Sequence, residues 1–180
     1  VNMHSNSSPI STTVSKVLDF AVVPGFSKIG FLIRKKLGGW SDISDFDLTG
    51  KTVVITGPTS GLGAEVARLL APTGAKLILV GRNPEKLAAM VAEIGPKCVA
   101  GIPESVIAEM GDLAAVRRAC KDIQKLTSHI DVLIHNAGAL LNSREVSADG
   151  IEQTIASHVV GPYLMTSLLL SELRGGRVVT

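Results

Sequence analysis

The chain has 180 residues, of which 46% are hydrophobic and 19% charged, a composition typical of one folded domain and unlike that of a disordered chain. Its 18 basic residues nearly balance 16 acidic ones, and aromatic residues make up only 3%. Neither an overall positive field nor a stacking surface is therefore available for nucleic acid, so we expect no nucleic-acid partner. Cys98 and Cys120 are too few for a disulfide framework or a zinc site, and they favour a reducing compartment.

The first fifty residues differ from the rest and predict an N-terminal extension, residues 1–50, ahead of a main domain, residues 51–180. We recognise no secretory signal, and no apolar run approaches the roughly 18–20 residues of a membrane span. The sequence therefore predicts a cytoplasmic protein.

Two amphipathic segments lie within the extension. Apolar residues recur at helical spacing from Val14 to Val22, and again in a basic stretch from Ile29 to Leu37 that two glycines end. Two interpretations of residues 14–40 stay open. The segment packs on the main domain or a neighbouring subunit, or it lies peripherally on an anionic membrane surface.

From Lys51 onward, short β-branched runs alternate with longer helical patterns. The predicted strands are Thr52–Thr56, Ala75–Val80, Ser105–Met110, Asp131–His135 and Arg177–Thr180. The predicted helices are Gly61–Ala71, Pro84–Ile94, Leu113–Leu126 and Gly150–Leu173. Strands that are apolar on both faces and alternate with helices predict an α/β fold with a doubly wound parallel sheet, the Rossmann architecture.

The sequence Thr-Gly-Pro-Thr-Ser-Gly-Leu-Gly, residues 56–63, follows a predicted strand and opens a predicted helix, which is the context of a phosphate-binding turn. Gly57 permits the sharp exit from the strand, Gly61 lets backbone approach a pyrophosphate, and Gly63 lets the helix pack close to the sheet. Helix-start N–H groups would face the phosphates. The predicted dinucleotide contacts are Gly57, Thr59, Ser60, Gly61, Leu62 and Gly63. An ordinary strand–helix turn is the alternative.

The second predicted strand is followed by Arg82 and Asn83, where a cofactor with a free ribose 2′-hydroxyl would want an acidic residue. A guanidinium suits a 2′-phosphate, which it binds with paired, charge-assisted hydrogen bonds. The sequence therefore predicts NADP, with NAD as the alternative. Arg82 could instead cap the next helix or be merely solvated.

These motifs together resemble the short-chain dehydrogenases/reductases, in the branch that includes the retinol dehydrogenase-like enzymes. The glycine turn is similar to the family's T-G-x-x-x-G-x-G, Gly-Asp-Leu at 111–113 to its D-L pair, and His-Asn-Ala-Gly at 135–138 to its N-N-A-G. The resemblance covers residues 51–180 and implies an oxidoreductase that moves a hydride between NADP(H) and a small carbonyl or alcohol substrate. It also implies cofactor contacts for Asn83, Asp112, Leu113, Asn136, Ala137 and Gly138, the aspartate at the adenine ring.

His158 stands where the family carries a helix asparagine, within His-Val-Val-Gly-Pro-Tyr at 158–163. The family's asparagine holds a water in a proton relay, and a histidine can donate, accept and titrate near neutrality. His158 is therefore a candidate catalytic residue. A buried, satisfied histidine with no catalytic part is the alternative.

The family's catalytic serine and Y-x-x-x-K motif do not occur within the 180 residues, and Tyr163 has Ser167, not lysine, four positions on. The resemblance thus implies a Rossmann sheet that is incomplete at the C-terminus and a chain that is inactive alone. Family members usually pair through helices, which implies a homo-oligomer. A non-catalytic NAD(P)-binding or interaction protein is the alternative function.

Overall fold

The computed structural model describes residues 27–138 and 141–180. Its contacts form two compact units, Val1–Asp42 and Ile43–Thr180. The predicted segment Val14–Val22 lies outside the described residues. Residues 43–50, which the sequence analysis assigned to the N-terminal extension, belong to the second unit, where the Leu48 N–H donates to the Thr73 carbonyl at 2.7 Å.

The first unit contains helix α1, Lys28–Gly38, which confirms the second predicted amphipathic helix. The Ser27 side chain accepts a hydrogen bond from the Gly30 N–H and caps its start, and Gly39 ends it in the left-handed conformation. No helix among the described residues is both long and apolar enough to cross a membrane.

The second unit is built on a five-stranded parallel sheet with the order β3-β2-β1-β4-β5. The strands are β1 Thr52–Thr56, β2 Lys76–Gly81, β3 Glu104–Ile107, β4 Val132–His135 and β5 Arg177–Val179. The order runs outward from β1 in one direction and from β4 in the other, which confirms the predicted doubly wound sheet.

The helices of this unit begin and end as follows: α2 Gly61–Leu70, α3 Pro84–Ile94, α4 Leu113–Leu126, α5 Gln153–Ile155 and α6 Gly161–Leu168, with a π-helical segment Ala156–Val160 between the last two. Short 3₁₀ segments cover Ile43–Asp45, Ala71–Thr73 and Gly95–Lys97. Helices α3 and α4 have the predicted bounds because side-chain caps, Asn83 and Asp112, set their first residues.

The core lies on both faces of the sheet. Val53 and Ile55 of β1 join the cluster beneath α2 and α3, whereas Val54 joins the cluster beneath α4 and α6. All five residues of β1 are buried. Alternation along a strand thus fills two layers, as a sheet covered by helices on both sides requires.

Two predicted elements differ from the structure by more than one residue at an end. The prediction of β3 as Ser105–Met110 is wrong at both ends: the strand starts at Glu104, which pairs with Ile78, and it stops at Ile107 because its partner β2 ends at Gly81. The predicted helix Gly150–Leu173 is shorter, because the Glu152 carboxylate caps it at Gln153 and regular helix ends at Leu168. Leu169 and Leu173 are buried although they follow the helix end. The apolar spacing in the sequence therefore extends beyond the helix, which is why the predicted helix is too long.

The opposite, amino-terminal end of the sheet is held by Asp131. Its carboxylate accepts from the Thr52 N–H at 2.8 Å and from the Lys51 ammonium at 3.0 Å. Partial burial raises the pKa of this carboxyl, but these hydrogen bonds and charges outweigh burial and keep the pKa below its usual value. The bonds anchor β1 far from the carboxyl ends, where the candidate site lies.

Candidate functional site

A cleft of about 480 Å³ opens at the carboxyl ends of the strands. It spans the point between β1 and β4 where the strand order changes direction, the place at which open α/β sheets bind ligands. Its lining comes from the turns after four strands and from the helix near the π-helical segment. The lining residues are Gly57, Thr59, Ser60, Leu62, Val80, Gly81, Arg82, Asn83, Lys86, Ala108, Glu109, Met110, Asn136, Ala137, Gly138, Leu141, Gln153 and Ser157.

The glycine turn is shaped for close contact on one side and open on the other. A Cβ on Gly57 would lie 2.8 Å from the Ala137 Cα, and one on Gly63 would lie 2.2 Å from the Gly57 carbonyl oxygen. A Cβ on Gly61, by contrast, would meet no described atom within 4 Å, and its φ of +54° disfavours any other residue. The turn is therefore packed tightly at its base and leaves Gly61 accessible.

Helix α2 begins at the cleft without a side-chain cap. Ser60 is its N-cap residue, and the Ser60 side chain makes no capping hydrogen bond within the described chain. Uncapped N–H groups and the positive end of the helix dipole favour an anion at this position. Ser60 and Leu62 line the cleft beside this helix start, and their contact with a phosphate stays a prediction.

Asn136 and Thr56 join the turns that follow β4 and β1. The Asn136 side-chain amide donates to the carbonyl oxygens of Thr56 and Gly57, at 3.3 and 3.0 Å. The buried Thr56 hydroxyl accepts from the backbone N–H groups of Asn136 and Ala137, at 3.1 and 3.0 Å. These bonds position the glycine turn against residues 136–138, which the sequence analysis placed along the cofactor.

Arg82, Lys86 and Glu109 form the charged end of the cleft. The Arg82 guanidinium donates to the Glu109 carboxylate at 3.2 Å. Asn83 accepts from the Lys86 N–H at 2.7 Å and caps α3, so the alternative that Arg82 caps this helix is wrong. Two cationic residues and one carboxylate thus line the end of the cleft where a ribose substituent is expected.

Asp112 and Leu113 are not part of the cleft lining. The Asp112 carboxylate caps α4 by accepting from the Ala115 N–H at 3.0 Å. Glu109 and Met110 lie in the lining instead, and the sequence analysis did not select them. Their position after β3 could have identified them, because residues that follow a strand end line the ligand site in such sheets. Asp112 directly precedes α4, which is the position of a helix cap.

His158 lies in the π-helical segment, where the Gly161 N–H donates to the Ala156 carbonyl. Such segments are rare and often mark functional positions. A Cβ on Gly138 would lie 2.9 Å from the His158 ring, so the imidazole borders the cleft lining. His158 is exposed, so the alternative of a buried histidine is wrong, and a relay role stays a prediction.

His135, the residue that begins the His-Asn-Ala-Gly motif, is not part of the cleft lining. Its Nε2 lies 2.9 Å from the Thr166 hydroxyl, and its buried Nδ1 has no hydrogen-bond partner among the described residues. Burial lowers the pKa of this imidazole. His135 therefore belongs to the packing between β4 and α6.

Comparison with known proteins establishes the family. The short chain dehydrogenase family matches residues 51–180, and the chain belongs to this family of oxidoreductases. Human (Homo sapiens) retinol dehydrogenase 11 is 34% identical over 144 residues, which cover 79% of this chain and 45% of that protein. Dehydrogenase/reductase SDR family member 7B of Bos taurus is 32% identical over 179 residues, which cover 92% of this chain and 55% of that protein.

Solved structures agree with the fold. A crystal structure of a protein from Mycobacterium Paratuberculosis matches with a TM-score of 0.64 and 35% identity, over 73% of this chain and 46% of that one. Pseudomonas aeruginosa RhlG in its NADP active-site complex matches with a TM-score of 0.61 and 26% identity, over 73% and 52%. The chain spans about half the length of the curated relatives it matches.

Proposed function

We propose that residues 51–180 bind NADP(H) in the cleft, as the cofactor-binding part of an oxidoreductase that acts on a small carbonyl or alcohol. The observation that carries this proposal is the glycine turn, in which Gly57 and Gly63 are packed against backbone and Gly61 faces open space. Positive φ at residue 61 requires glycine in any turn of this shape, but a helix start that lacks a side-chain cap and opens into a cleft also suits a phosphate.

The residues of the cleft divide by the part of the dinucleotide they suit. The turn residues Thr59, Ser60 and Leu62 suit the pyrophosphate, and the segment 136–138 suits the nicotinamide-side ribose. Arg82 and Lys86 suit a 2′-phosphate, because each adds a positive charge at the end of β2. NADP(H), when bound, supplies the hydride or accepts it. The protein's own contribution is binding and orientation, and NAD remains the alternative cofactor.

His158 is proposed as a relay residue that passes a proton at the nicotinamide end. Its ring borders Gly138 at the cleft and lies on the exposed side of the π-helical segment. An imidazole can accept and donate a proton near neutral pH, which is what a relay requires.

The non-catalytic alternative is favoured by one observation in the sequence. Tyr163 is the single tyrosine, its side chain is exposed, and Ser167 stands where the family's motif requires lysine. A proton donor of tuned pKa is thus missing from these residues. Residues 1–180 would then bind the dinucleotide without turning it over.

For helix α1 we propose contact with an anionic membrane surface, in keeping with one of the two interpretations of residues 14–40. Ile29, Phe31 and Leu32 are each at least half exposed, and Arg34 and Lys36 follow on the same short helix. Exposed apolar side chains beside cations match the chemistry of an interfacial helix. Cosedimentation with phosphatidylcholine vesicles, with and without phosphatidylserine, tests this. We expect binding only to the anionic vesicles, and loss of binding in Leu32→Glu.

A calorimetric titration tests the main proposal. Residues 1–180 are titrated with NADPH and with NADH, and binding of one molecule per chain, tighter for NADPH, is expected. Asp122→Asn serves as a matched control, because this exposed carboxylate pairs with Lys125 outside the cleft lining. Absence of binding of both dinucleotides to a chain with an intact circular dichroism spectrum would contradict the proposal. A cytoplasmic location and assembly into homo-oligomers stay predictions.

A further inference from the structure

The end of the cleft beside β2 and β3 contains an ion pair whose two members follow the ends of these two strands. Arg82 Nη1 lies 3.2 Å from Glu109 Oε2, with the two side chains 69% and 37% exposed. The other carboxylate oxygen, Oε1, accepts from the Gly111 N–H at 3.4 Å. Glu109 is therefore oriented by backbone while it holds the guanidinium.

The register of the sheet brings these two residues together. Gly81, which precedes Arg82, pairs with Ile107, and the Ala108 N–H donates to the Gly81 carbonyl at 3.0 Å. Arg82 and Glu109 thus leave the ends of adjacent strands side by side. A carboxylate is present at this end of the cleft although the two residues directly after β2 are Arg82 and Asn83.

We infer that Glu109 is a specificity-determining residue that lowers the preference of the site for the 2′-phosphate of NADP over the 2′-hydroxyl of NAD. The inference rests on the proposed dinucleotide function. A 2′-phosphate can bind Arg82 only by sharing or displacing the carboxylate, and it brings like charge close to Glu109. A ribose 2′-hydroxyl can instead donate a hydrogen bond to a carboxylate.

Glu109→Gln tests this, because glutamine keeps the shape of the side chain and removes its charge. Calorimetry with NADPH and NADH gives both dissociation constants without any need for turnover. We expect NADPH to bind roughly 3–10-fold more tightly to Glu109→Gln, because a neighbouring charge at a partly exposed site changes binding by about this factor. NADH affinity should stay the same or weaken. The matched control is Glu85→Gln, an acidic residue in the first turn of α3 that is outside the cleft lining.

A second variant separates the role of the ion pair from simple repulsion. If Glu109 acts by occupying Arg82, the gain in NADPH affinity should largely disappear when Glu109→Gln is combined with Arg82→Ala. An equal gain in that background would overturn the ion-pair mechanism. An unchanged NADPH/NADH ratio in Glu109→Gln, with both dinucleotides still bound, would overturn the inference and leave the proposed function standing. Failure of the wild-type chain to bind either dinucleotide would instead overturn the proposed function itself.

Discussion

The side-chain amide of Asn136 donates a hydrogen bond to the carbonyl oxygen of Gly57 at 3.0 Å and so joins the turn after β4 to the turn after β1. This bond crosses the switch point of the sheet, where the cleft opens. The same amide lies 2.3 Å from where a Cβ on Gly63 would stand. Asn136 thus supports the shape of the glycine turn as well as lining the cleft.

Asn136→Ala should therefore weaken both folding and dinucleotide binding. The lost amide leaves the Gly57 carbonyl without this partner, which should cost about 1–2 kcal/mol of unfolding free energy. Urea denaturation measures that loss, and calorimetry with NADPH measures binding. Gln124→Ala, which removes an exposed amide bonded to the Leu168 carbonyl, is the control and should change neither by much. A variant with wild-type stability and affinity would show that the contact does not support the site.

Gly61→Ala should reduce NADPH binding at least tenfold. An alanine at positive φ costs about 1–2 kcal/mol of unfolding free energy. Its Cβ would also fill the open space in which the phosphates would contact the backbone of residue 61. Gly175→Ala is a matched control, since Gly175 also has positive φ and an open Cβ direction but is outside the cleft lining. Both variants should lose similar stability in urea denaturation. Equal affinity for NADPH in both would show that Gly61 serves the turn alone.

Arg82→Ala should weaken NADPH binding by about tenfold or more and should change NADH binding little. Only NADPH has a 2′-phosphate, so only NADPH loses a charge-assisted hydrogen bond to the guanidinium. Calorimetry at fixed ionic strength measures both affinities. Arg174→Ala removes an exposed arginine outside the cleft lining and controls for the change in net charge. Equal losses for the two cofactors, or none, would remove Arg82 from the 2′-phosphate site.

His135 should make the fold less stable in mild acid. Burial holds the pKa of this imidazole below its ordinary value, so the unfolded chain binds a proton at a higher pH than the folded one. Stability is then full above the unfolded pKa of about 6.5 and declines as the pH falls below it. Urea denaturation at pH 7.5 and 5.5 measures this decline, which His135→Asn should reduce. The exposed His129 supplies the control variant His129→Gln, and an unchanged decline in His135→Asn would contradict the assignment.

Residues 1–180 should bind NADPH without oxidising it in the presence of aldehydes, ketones or quinones. A carbonyl that receives a hydride needs a positioned proton donor, and Tyr163 has no lysine four residues on. Steady-state NADPH absorbance measures turnover. The comparison is the rate of a longer chain that is extended beyond Thr180 and carries a Y-x-x-x-K motif. Similar rates for the two chains would contradict the prediction.

Local sequence determined the elements whose signals are complete within a few residues. Strand β1 is a buried β-branched run that ends at a glycine, and its bounds Thr52–Thr56 were predicted without error. Helices α3 and α4 were predicted with equal accuracy because Asn83 and Asp112 cap them from the preceding residue. The glycine turn could likewise be predicted, since a strand, a spaced set of glycines and a helix follow one another directly along the chain.

Only the tertiary structure decided which distant residues share the cleft. The pairing of Gly81 with Ile107 sets Arg82 beside Glu109, and a shift of one residue in that register would turn the neighbouring side chains to the other face. The structure places Asp112 outside the cleft lining as the cap of α4, and its contact with the cofactor stays a prediction. Caps, turns and buried runs depend on neighbours along the chain, whereas strand register depends on packing across the whole sheet, which no short motif encodes.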